Sequence, residues 1–237
     1  MKIPDALSRP DAYIPAPKPG AMHKIPPVTL ATPLSLRSSF RFPLQSPIAR
    51  REVLIGGLWL LVPVIGWILN MGHRIMMVHH MQHGLPAWPA WRNYPALFRH
   101  GFITLLGMIE YHTPAILCEY LAWTLAAPWL HVLAALLWVT ATIAVPGYMS
   151  HYCLHFDARE VFDPFRAMRR VFEGGRAYWR AWGIALAALL LSFAGLLGLG
   201  LGFFFSSVWF WQVAGFSFAT VFSKKFGLVA ENLPPGA

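Results

Sequence analysis

Charge is what this sequence has least of. Only 12% of its 237 residues are Asp, Glu, Lys or Arg, against about 25% in soluble domains. Hydrophobic residues make up 57% and aromatics 15%, a composition that excludes an ordinary soluble domain and fits a bilayer. Cysteine is nearly absent. Cys118 and Cys153 both fall in or beside apolar runs, which argues against a disulfide framework. The signatures of common catalytic sites are missing too. With no Gly-x-Ser-x-Gly, His-Glu-x-x-His or Gly-Lys-Ser/Thr sequence, the chain does not read as an enzyme. Nor do the first fifty residues hold an apolar signal core, so the first membrane segment is expected to act as the targeting signal.

The next absence sets the threading. No Lys or Arg lies between Arg99 and Arg159, or between Arg180 and Lys224. A spanning helix needs about 20 residues, so each gap predicts a transmembrane hairpin. In the first, helices over 101–125 and 130–149 are joined at Ala126-Ala127-Pro128-Trp129. In the second, the turn is expected near Gly198–Gly202 or at Ser206-Ser207. Both hairpins start and finish on the basic side, which the positive-inside rule makes cytoplasmic. The formal net charge of +9 thus points to anionic lipid headgroups rather than nucleic acid.

What is abundant divides the chain into three parts. Residues 1–50 hold ten of the 20 prolines and predict an extended, non-helical tail, one that a neighbouring subunit could hold. Residues 51–225 form the helical membrane domain, and 226–237 a short C-terminal tail. Val53–Leu69, interrupted by Gly56-Gly57, Pro63 and Gly66, either spans or re-enters. Re-entry leaves all 19 Lys and Arg residues on one side. The expected architecture is therefore all-α and polytopic, two transmembrane hairpins plus this N-terminal segment, with amphipathic interfacial connectors. The bacterial inner membrane is the expected location, with both termini cytoplasmic.

The connectors, 72–101 and 146–180, look alike, as an internal repeat would. In the second, Asp163 is a good N-cap, Pro164 a good first residue and Gly174-Gly175 a stop. Phe165, Met168 and Phe172 fall opposite Arg166, Arg169 and Arg170, the pattern of a helix lying in the headgroup plane. A cytosolic loop helix packed on its own protein is the alternative. Arg166, Arg169, Arg170, Trp88, Trp91 and Trp179 are the expected headgroup or partner contacts.

The succession Val62-Pro63-Val64-Ile65-Gly66-Trp67, then Gly72 and Arg74, then Leu85-Pro86-Ala87-Trp88 and an aromatic-basic run resembles an uncharacterised prokaryotic membrane family, domain of unknown function 4013. The likeness covers about 42–225 and implies a multi-pass membrane fold. It brings no activity, cofactor or site residue. Where that pattern has an Arg-rich stretch after Gly72, this chain has His and Met.

Two groups of residues could carry chemistry. Met71, His73, Met76, Met77, His79, His80, Met81 and His83 are soft or borderline ligands, suited to copper. On a helix His73, Met76, His80 and His83 share a face, and His151 and His155 form a second i,i+4 pair around Cys153. The bland reading is an amphipathic segment with Met as filler. Within the first spanning helix, Glu110, His112 and Glu119 are ionisable groups at membrane depth, candidates for a transport path or, through His112, for pigment or haem ligation. Structural pairing in the bundle is the bland reading there, and no resident cofactor is expected. The composite expectation is a non-catalytic accessory subunit of a larger membrane complex, such as an energy-transducing one. The alternatives are a small-solute or proton transporter and a copper-handling protein.

Overall fold

The computed structural model describes residues 27–198 and 200–229. Every regular element among them is helical: α1 Leu36–Arg41, α2 Pro47–Leu60, α3 Ile65–Gln82, α4 Tyr94–Thr124, α5 Pro128–His155, α6 Pro164–Ser192 and α7 Leu201–Phe226, with 3-10 turns at Phe42–Leu44, Ala158–Glu160 and Phe193–Leu197. Four helices are long and apolar enough to cross a membrane: α4, α5, α6 with its 3-10 extension, and α7. The chain thus has the helical content of a multi-pass membrane protein.

Helix starts follow from local chemistry. The side chains of Ser46, Asn93 and Asp163 accept from the backbone N–H groups of Ala49, Ala96 and Arg166, and each of the three helices has proline in its first turn. Proline fits there because that N–H has no helical acceptor to lose.

Neighbouring helices run antiparallel. Between α4 and α5 the contacts Glu119–His131, His112–Thr142 and His100–Tyr152 descend one helix while climbing the other. Between α6 and α7, Ser206 donates to the Ser192 carbonyl, and Tyr178 packs on Phe222. The first turn falls at 125–127, overlapping the stretch expected for it, and the second includes Gly198 and Gly200, within the glycine run expected for it.

Val53–Leu69 forms no single helix. It breaks at 61–64, where Pro63 has no N–H and Val64 takes φ 65°, in the left-handed region. α3 then folds back along α2, and Asn70 Nδ2 donates to the carbonyls of Gly56 at 3.1 Å and Gly66 at 2.8 Å. The pair lies between α4 and α7. A Cβ on Gly72 would sit 1.8 Å from the Leu97 carbonyl oxygen, and one on Gly101 would sit 1.8 Å from that of Ile68. Only glycine at both places lets α3 and α4 approach so closely.

The proline-rich segment departs from expectation. Residues 36–50, expected extended, are largely helical, because Pro43 and Pro47 occupy first-turn positions. This stretch packs on its own chain. Phe42, 0% exposed, stacks on Phe216 at 4.5 Å, and Trp209 Nε1 donates to the Phe40 carbonyl. The rest of the tail, 1–26, and the C-terminal residues 230–237 lie outside the described residues.

The connectors resemble each other only in the capped, proline-led helices they enter. The first is an irregular loop over 83–93, whereas the second contains a 3-10 turn and then α6. α6 bends at Gly175, φ 53° and ψ −139°, where the sequence placed a stop. Before the bend, Ala167, Arg170, Val171 and Gly174 face inward.

Candidate functional site

Glu52 organises the N-terminal half. Its Oε2 accepts from His73 Nε2 at 2.8 Å and from the backbone N–H groups of Ala90 at 2.9 Å and Trp91 at 3.2 Å. Trp91 Nε1 returns a bond to the Glu52 carbonyl at 3.1 Å. Both side chains are nearly fully buried, and His73 stacks on Trp91 with ring centroids 4.4 Å apart. Burial works to raise the Glu52 pKa, but the donors of His73, Ala90 and Trp91 more than reverse it, so the net direction is down. Burial pushes His73 down, against the pull of Glu52. The pair is a carboxylate and a neutral imidazole donating through Nε2.

The next residue of α3 is one that sequence reasoning missed. Arg74 is 6% exposed, wedged where α3 passes α7. Gly215 makes room for its stem, and its guanidinium carbon stands 4.9 Å from the Trp211 ring centroid, a cation–π arrangement. Nε has no hydrogen-bond partner, and no carboxylate among the described residues is in ion-pair range. Arg74 borders a partly open cavity of about 460 Å³ lined by α3, the ends of α2 and α6, α7, and Met108 of α4. Gln212 borders it too, 2% exposed, with neither Nε2 nor Oε1 bonded. The hint was a lone arginine inside an apolar, glycine-spaced segment. In the sequence it reads as part of a basic connector.

The intramembrane candidates are separated rather than gathered. His112 Nδ1 donates to the Met108 carbonyl at 2.7 Å, and Nε2 lies 3.3 Å from the Thr142 hydroxyl. Glu119, five residues from the helix end, pairs with His131 at 3.0 Å and accepts from Trp123 Nε1 at 2.9 Å. Glu110 is exposed on the outer face of α4 and joins neither.

The His/Met stretch is likewise divided. His73 is committed to Glu52. His79 donates to the Cys153 carbonyl at 2.7 Å, and its ring lies 4.0 Å from that of His83. His80 is half-buried, as is Met76. His151 stands edge-on to Phe226, and His155 is exposed. The described residues hold no group of three His, Cys, Asp or Glu side chains placed to share a metal.

Of the expected headgroup contacts, Trp179 is exposed, as are Arg166 and Arg169, which pair with Asp163, Glu160 and Glu173. Three others turn inward. Trp88 and Trp91, each 8% exposed, are held there because Glu52 anchors the loop that carries them. Arg170 is buried against Glu160, Nη2 to Oε2 2.6 Å.

No family model, curated protein or solved structure matches this chain.

Proposed function

We propose that this chain is a multi-pass protein of the bacterial inner membrane that packs beside partner subunits in a larger membrane complex, without catalytic chemistry of its own. One observation carries the reading. Glu110, within the apolar run of α4, faces outward and has no hydrogen bond or ion pair among the described residues. Pro114, four residues on, lacks the N–H that would cap the Glu110 carbonyl. A carboxyl group and a donor-less carbonyl at one spot, flanked by exposed Leu106, Ile109 and Leu117, are costly against lipid. A neighbouring helix bringing a hydrogen-bond donor or a cation relieves both.

In this reading the α2–α3 hairpin is re-entrant. Arg50 and Arg51 stand at its entry, and Arg92 and Arg99 follow its exit, so one cytoplasmic face gathers the positive charge. Its irregular turn at 61–64 is exposed on the chain itself, so at membrane depth it needs cover from a partner subunit. The proline-rich tail, whose residues 1–26 lie outside the described ones, belongs to the same reading as a partner contact, and anionic headgroups meet the exposed arginines of α6.

Extraction in mild detergent tests the proposal. The wild-type chain should carry a stoichiometric partner, and Glu110→Leu should lose it while keeping its melting temperature. A chain that purifies alone, and is unchanged by Glu110→Leu, refutes it. Loss of a solute or proton flux in Glu110→Gln, with the assembly intact, would establish transport instead.

A further inference from the structure

The cavity beside Arg74 has no part in that packing role, and its polar groups are left in an unusual state. Buried arginines are normally paired, because taking a cation out of water is expensive. Arg74 has an aromatic face on one side but no carboxylate. Gln212, one residue from Trp211 on the same helix, is 2% exposed and offers an amide donor and acceptor that nothing in the chain answers. Buried polar groups in native folds are nearly always satisfied, so two such side chains at one cavity call for an explanation.

The rest of the wall is mostly apolar, although Asn70, His73, Ser192 and Ser207 also border it. Leu60, Met71, Leu189 and Phe204 line it, with no charged side chain other than Arg74. The volume of about 460 Å³ lies in the ordinary range for small-molecule sites. At roughly 30 Å³ for each water-sized group, it takes about fifteen non-hydrogen atoms. Water alone would leave most of this wall wetted without a hydrogen-bond partner, since ordered water needs two to four polar contacts.

We infer that this cavity binds a single-chain acidic amphiphile, whose anionic head is held by Arg74 and Gln212 and whose apolar body fills the space toward Leu60, Leu189 and Phe204. A guanidinium presents parallel N–H donors that match a carboxylate or phosphate. The Gln212 amide adds a further donor from the facing helix. A neutral head of the same size would leave the cation uncompensated, and a cationic head would be repelled by it. The size of the body corresponds to a chain of about ten carbons, whether it comes as a free acid or as part of a lysolipid.

The test uses the whole chain in nanodiscs of zwitterionic lipid, with decanoate, decanol and decylamine titrated against Trp fluorescence. Decanoate should bind saturably at one per chain, at least tenfold tighter than decanol, with decylamine weaker still. Decyl phosphate and a short lysophosphatidate form a second arm. Preference for the free acid or for the lysolipid identifies the source, and binding of either supports the inference. Gln212→Glu supplies Arg74 with an internal carboxylate. It should lower decanoate affinity tenfold or more and raise the melting temperature of the ligand-free protein. Should that variant fail to fold, Gln212→Leu removes the amide at nearly constant volume, and it should halve or further weaken acid binding while leaving decanol unchanged. Equal affinity for acid, alcohol and amine, or no saturable binding by any acid, overturns the inference.

Discussion

Glu52→Ala removes the acceptor on which the N-terminal half converges, and its cost follows from the bonds it breaks. A single oxygen takes three N–H groups, from His73, Ala90 and Trp91. A buried donor left without a partner costs about 1–3 kcal/mol. Three of them would reach about 6 kcal/mol if nothing moved, and loop relaxation recovers part, so the expected loss is about 4 kcal/mol. For a chain of this length that lowers Tm by about 8–16 °C. Glu52→Gln keeps an oxygen for the three donors but removes its charge, weakening each bond, so it should cost about 1–2 kcal/mol. Melting of the detergent-solubilised protein followed by tryptophan fluorescence measures both. Trypsin reports the cause, because releasing the loop should open Arg92 to cleavage before the bundle melts. A Glu52→Ala protein that melts within about 3 °C of wild type, with Arg92 no more sensitive, would show that the loop is held by something else.

The same carboxylate sets a pH dependence. Its folded pKa lies below the ordinary 4.5, so its stabilisation is complete above that value and is lost as pH falls through the folded pKa. Wild-type Tm should drop more steeply than that of Glu52→Gln below about pH 4.5. Gly72→Ala drives a methyl group into the Leu97 carbonyl. It should cost about 3 kcal/mol or more, or prevent folding, measured by monodisperse yield in detergent. Phe42→Ala should lose about 3 kcal/mol, since the ring is fully buried against Phe216. Deleting residues 2–26 should leave Tm unchanged and remove a partner that copurifies. Glu119→Gln, a half-exposed pair with His131, should leave both Tm and assembly intact. Loss of function at unchanged abundance would restore it as a functional group.

The spanning elements were legible because their signal is one-dimensional. A gap in Lys and Arg, closed by Ala-Pro or by spaced glycines, marks a hairpin whatever it packs against, and the turns at 125–127 and at Gly198 and Gly200 follow. The break in α6 was legible for the same reason, since Gly174-Gly175 is a local stop. Burial of polar residues was not legible. Glu52, Arg74 and Trp91 sit among arginines and aromatics that look like interface anchors. Only the return of α3 along α2 turns them inward, toward partners 21 and 39 residues away. The His/Met stretch misleads in a related way. Helical spacing aligns His73 with His80 and His83, whereas the ring of His73 is drawn off to Glu52 by a bond across helices that spacing cannot reveal. In the tail, proline counted against helix, yet two of those prolines stand where a helix begins.

The seating of the α2–α3 hairpin has a consequence for biogenesis. Neither helix ranks among the four able to cross a membrane, and the pair is housed between α4 and α7, with Gly56 against Val208 and Gly57 against Phe205. α7 leaves the ribosome after the other described helices. The segment made early therefore waits, with Arg74 uncovered, until more than 120 further residues have been synthesised. During that interval it must rest at the bilayer surface or in the care of the insertion machinery. A ribosome stalled before residue 201 would hold a chain whose α2–α3 hairpin has no α7 to pack against.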